Sequence, residues 1–72
     1  MSKRLEDALA ELEQEATSDA EQFFHPPVKA DRLRVTKKEV NGPFAFITVQ
    51  SPKGIKVTLR YAWRTKQLLG TA

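Results

Sequence analysis

The chain has 72 residues, 40% hydrophobic and 29% charged, with a formal charge of +3 from 12 basic and 9 acidic side chains. A chain this short makes one domain at most, with a thin core, because such chains bury only about 60% of the surface they expose when unfolded. With no cysteine and His25 as the single histidine, disulfides, thiolate metal sites and the usual zinc sets are excluded, and the composition suits a reducing cytoplasm.

No apolar run approaches the roughly 20 residues of a membrane span. Met1-Ser2-Lys3-Arg4, followed by acidic residues, lacks the apolar stretch of a secretory signal. The modest net charge conceals a division. Residues 1–27 hold two basic side chains against seven acidic ones, and residues 28–72 hold ten basic against two acidic. The chain therefore reads as an acidic helical segment with a Pro-Pro linker, 1–27, and a basic portion, 28–72, within one compact domain. Such asymmetry suggests a surface for a polyanion, with an acidic segment that solubilises, docks on a partner or shields the basic surface.

From Ser2 the residues are strong helix formers, and Leu5, Leu9, Leu12 and Ala16 recur on one narrow helical face. An isolated helix of this length is marginal in water, so the stripe has to pack on something. Its own domain is one answer. A protein partner or a second copy meeting Leu5, Leu9 and Leu12 is the other. Ser18-Asp19-Ala20-Glu21 has the capping-box spacing and predicts a second short helix to about Phe24, ended by His25-Pro26-Pro27 because a residue before proline is pushed out of the helical region.

Leu33 to Val40, Phe44 to Gln50 and Ile55 to Tyr61 are β-branched and aromatic with period-two alternation, which predicts a three-stranded antiparallel meander. Pro52-Lys53-Gly54 suits a three-residue loop and puts Val49 opposite Val57 and Ile47 opposite Leu59. Reading Val40-Asn41-Gly42 the same way puts Val35 opposite Ile47 and Leu33 opposite Val49. One face is then aliphatic. The other holds Arg32, Arg34, Thr36 and Lys38, then Phe44, Phe46, Thr48 and Gln50, then Lys56, Thr58 and Arg60. A competing register with two-residue loops sends both phenylalanines to the aliphatic side, because a one-residue slip turns every side chain over.

Tyr61 to Leu69, stopped by Gly70, reads as a short C-terminal helix with basic residues near its negative end; alternatively Tyr61 to Thr65 prolongs the third strand. Arg64 and Lys66 extend the cationic surface either way, and Trp63 reads as a cap on the core. The predicted fold class is thus α+β: an N-terminal acidic amphipathic helix, the three-stranded meander and the short C-terminal helix. That arrangement resembles the compact sheet-based DNA-binding modules at the amino ends of some phage and transposon integrases, a likeness of architecture that no motif here carries.

Nothing in the sequence marks an enzyme. There is no phosphate-cradling glycine loop or nucleophile elbow, and the acids of the helix look solvent-facing. No metal or cofactor is expected. The expected function is DNA or RNA binding by a cationic sheet face and its C-terminal extension, through Arg32, Arg34, Lys38, Phe44, Phe46, Lys56, Arg60, Arg64 and Lys66. Basic side chains would neutralise phosphates there and aromatic rings would stack on bases. The alternative of a different class is a small regulatory or accessory module that docks on a larger protein through its amphipathic helix or basic face. Membrane-surface binding is disfavoured because the amphipathic helix is acidic.

Overall fold

A computed structural model describes residues 2–72. One helix, α1 (Ser2–Ala20), precedes an antiparallel sheet of four strands in chain order: β1 (Arg34–Asn41), β2 (Phe44–Gln50), β3 (Lys56–Ala62) and β4 (Gln67–Thr71). The α+β class holds, while the sheet has a fourth strand where a C-terminal helix was expected.

Helix α1 runs through Ser18 without a break. Ala8, Leu12, Ala16 and Ala20, four apart, are all buried, so the inner stripe continues past the predicted stop and favours one helix over two. The capping box does not form. Residues Glu21–Phe23 make only a 3-10 turn without a side-chain cap, and the Glu21 carboxylate instead accepts the backbone N–H of Ala30 at 2.7 Å. A second 3-10 turn, Ala30–Arg32, leads into β1.

The stripe packs on the chain's own sheet. Leu12, Ala16 and Ala20 meet Ala45, Ile47, Val49, Leu59 and Tyr61 in one cluster closed by Phe24 and Leu33. Three alanines on this face let the helix lie close to the strands, where larger side chains would overfill the layer. No described helix is long and apolar enough to cross a membrane.

The β2–β3 loop follows the expected register, with Val49 opposite Val57 and Ile47 opposite Leu59. Gly54 takes φ +88, and its N–H donates to Ser51 O at 2.9 Å, as a three-residue loop with a left-handed third residue requires. The β1–β2 hairpin differs. Asn41 pairs with Phe44, so the loop is Gly42-Pro43, with Gly42 at φ +62 and proline next, the pattern of a type II′ turn.

The register of β1 then depends on a bulge at Thr36, between Val35 opposite Val49 and Lys37 opposite Thr48. A bulge adds one residue and exchanges the faces beyond it. Val35 faces the helix before it, and Lys38 and Val40 do so after it. Lys37 and Glu39 are thereby sent to the other side, where strict alternation had put Thr36 and Lys38.

Beyond Ala62 the chain turns through Trp63–Lys66, and Gln67 pairs back on Ala62. Lys66 adopts φ +60 and donates its N–H to Ala62 O at 2.7 Å. The turn is fixed from outside as well. Trp63 donates its backbone N–H to Pro43 O at 3.3 Å and its indole N–H to Gly42 O at 2.9 Å, tying it to the β1–β2 hairpin.

Tyr61 is fully buried, and its hydroxyl donates to the Asp19 carboxylate at 2.7 Å. Burial, then that hydrogen bond, then the negative charges of Asp19 and Glu15 push the phenol pKa far above its ordinary value of about 10. In the unfolded chain the phenol releases its proton near pH 10, and in the folded chain it holds on. The linked stability is therefore complete below about pH 10 and lost as pH rises beyond it. Tyr61 is the only tyrosine. Phenolate absorbance should accordingly appear together with alkaline unfolding, and Tyr61→Phe should flatten the alkaline limb of a stability profile measured by urea unfolding.

Candidate nucleic-acid interface

Alternation along β2 divides the sheet into two chemical surfaces. Ala45, Ile47 and Val49 are buried under α1, and Phe44 is 38% exposed on the opposite side. Phe46, Thr48 and Gln50 share that side with Phe44 and are partly exposed. The alternative in which both phenylalanines join the aliphatic face is excluded by this register.

Cross-strand pairing assembles the open face row by row. Phe44 lies between Asn41 and Ala62, Phe46 between Glu39 and Arg60, Thr48 between Lys37 and Thr58, and Gln50 between Arg34 and Lys56. The Arg60 guanidinium sits 5.7 Å from the centroid of the Phe44 ring, a cation–π distance that holds the arginine over the aromatic surface. The hydroxyls of Thr48 and Thr58 lie 2.9 Å apart and share a hydrogen bond. A shallow depression over Phe46 and these threonines is bounded by Lys37 and Glu39. Four cations, Arg34, Lys37, Lys56 and Arg60, thus surround two aromatic rings, with Glu39 as the one acid among the paired residues of this face.

Five of the nine expected contact residues meet here: Arg34, Phe44, Phe46, Lys56 and Arg60. Lys38 and Lys66 do not. Their ammonium groups bind helix acids on the other side, Lys38 to Glu13 at 2.8 Å and Lys66 to Glu11 at 2.7 Å. Exposed pairs of this kind contribute about 0–1 kcal/mol, yet they place both cations against carboxylates rather than phosphates. Arg64 is exposed in the β3–β4 turn, 5.2 Å from the Trp63 ring centroid. Arg32 lies in the 3-10 turn before β1. Lys37 was missed, and the spacing of Val35 and Val40 was the available signal. Five residues apart, both can face inward only across a bulge.

The partner stripe is also largely used within the chain. Leu12 is fully buried, Leu9 packs against the core, and only Leu5, half-buried, lies outside that cluster. Because α1 lies against the aliphatic face, its acids do not shield the phenylalanine-bearing face. Among the described residues no cluster of three or more histidine or acidic side chains could hold a metal ion. Compared with known proteins, the chain matches no family model, no curated sequence and no solved structure.

Proposed function

We propose that the chain binds single-stranded nucleic acid on the open face of its sheet. The observation that carries this reading is the packing of α1 on the aliphatic side, which leaves Phe44 and Phe46 among Arg34, Lys37, Lys56 and Arg60. Residues two apart on a strand are about 7 Å from each other. Bases stacked one on each ring would therefore be splayed, at about twice the 3.4 Å rise of a duplex strand. The four strands also span roughly 14 Å, wider than the ~12 Å major groove, which admits a helix or a two-stranded ribbon. Both dimensions favour an extended single strand.

The test is an amide chemical-shift titration at low salt with short single-stranded DNA, single-stranded RNA and a duplex of the same sequence. Single strands should move the resonances of Phe44, Phe46, Thr58 and Arg60 and leave those of Ala8 to Ala16 in place. An absence of shifts with every nucleic acid ends the reading and turns attention to an acidic protein as the ligand of the same face. Glu39 opposes a polyanion from its place beside Phe46, so Glu39→Gln should raise affinity by roughly the factor that one fewer repulsive surface charge allows, about two- to fivefold, in a fluorescence-anisotropy titration.

A further inference from the structure

A groove of about 560 Å³ lies at the far end of the sheet, between the His25-Pro26-Pro27 segment and the β2–β3 loop. Its volume is in the range of binding clefts, roughly 300–1,000 Å³. Phe23, Val28 and Ile55 supply its apolar surface, and Lys29, Arg32 and Lys53 stand around it with no acidic residue in the lining. Ile55 is 54% exposed, the most exposed large apolar side chain among the described residues. A chain with a thin core gains stability by burying such a residue, yet the loop holds it out beside three cations.

The main chain here offers little to an anion. Pro26, Pro27 and Pro52 have no N–H. The Gly54 N–H is bonded to Ser51 O at 2.9 Å, and that of Ile55 points to the Ser51 hydroxyl at 3.3 Å. A phosphate site is typically built from converging backbone donors, and those of Ser51, Gly54 and Ile55 are taken up within the loop. What remains is an apolar trough with long, flexible positive arms. That combination complements a chain segment whose bulky apolar side chain is flanked by carboxylates: the apolar group supplies burial and the lysines and arginine select the charge.

We infer that this groove docks an acidic peptide segment of another protein, anchored by one or two large apolar side chains. The site is separate from the nucleic-acid face. Ser51 and Ile55 pair on the helix side of the sheet, whereas Arg34 and Lys56 project from the other.

The experiment uses the full chain and three fluorescein-labelled peptides: Glu-Glu-Leu-Phe-Glu-Glu, Glu-Glu-Ser-Ser-Glu-Glu and Lys-Lys-Leu-Phe-Lys-Lys. The first should bind at low salt, and the other two should bind at least about tenfold more weakly, because one lacks the buried apolar group and the other the complementary charge. Ile55→Asp, at an exposed position that leaves the core intact, and Lys29→Glu with Lys53→Glu should each cost the first peptide about tenfold or more. Arg60→Glu, on the other face, should not change its affinity. The inference is overturned if the first peptide fails to bind, if the serine peptide binds as well, or if Arg60→Glu weakens binding as much as Ile55→Asp does. Each result is readable whether or not the sheet binds nucleic acid.

Discussion

Raising the salt from about 50 to 200 mM should lower the affinity for a single strand by about fifty-fold. Four phosphate contacts, from Arg34, Lys37, Lys56 and Arg60, give a slope of log affinity against log salt near −0.7 per contact, about −2.8 in all. Arg34→Ala with Arg60→Ala should halve that slope, to about −1.4, and weaken binding most at low salt. Phe46→Ala should behave differently, lowering affinity at every salt concentration by the value of one stacked base, ~1–3 kcal/mol, with the slope unchanged. Lys38→Ala and Lys66→Ala should leave the slope near its original value, because those ammonium groups are held by Glu13 and Glu11 behind the sheet. Anisotropy titrations at four or five salt concentrations measure all of these. An intact chain whose affinity does not change with salt would exclude the phosphate contacts.

Leu12→Ala should come close to unfolding the chain at physiological temperature. Leu12 is fully buried between α1 and the sheet, where leucine-to-alanine changes cost about 2–5 kcal/mol. A domain of this size has a total stability of only about 4–10 kcal/mol. With a midpoint shift of about 4–8 °C for each kcal/mol in small domains, the melting temperature should fall by at least about 8 °C. Leu12→Glu, which adds an unpaired buried charge, should leave no cooperative transition. Leu5→Ala should lower the midpoint by only a few degrees, since Leu5 is half-buried and outside the central cluster. Thermal melts followed by circular dichroism separate these outcomes. A modest shift for Leu12→Ala equal to that of Leu5→Ala would mean that the helix contributes little to the fold.

Features written in local chemistry were legible from the amino acids alone. The helix stripe, the aliphatic alternation of β2 and the Pro52-Lys53-Gly54 loop each follow from neighbouring residues, and together they placed Phe44 and Phe46 on the right side of the sheet. Three features depend on partners distant in the chain. The Thr36 bulge is set by the need to turn both Val35 and Val40 toward α1. The absence of a break at Ser18 reflects Ala16 and Ala20 packing on strands formed much later in the sequence. The fourth strand was hidden by its turn, which places Lys66 rather than glycine or asparagine at positive φ. It is held by bonds from Trp63 to Gly42 and Pro43, and no window of neighbouring residues contains that information. For these same reasons Lys38 was expected on the open face, and the pairing of Lys66 with Glu11 was not foreseen.

The packing of α1 on one side of the sheet also determines what a bound strand would show to its surroundings. The open face and the helix acids lie on opposite sides of a thin body, 38 Å long and 16 Å in its least dimension. With Arg34, Lys37, Lys56 and Arg60 turned toward a strand beside Glu39, the charges on the rest of the chain cancel. A nucleic acid lined with these molecules would exchange an exterior of phosphates for one of mixed, nearly balanced charge. Neighbouring coated strands would repel one another less than bare ones, and a basic protein approaching the assembly would meet helix side chains before it met the nucleic acid.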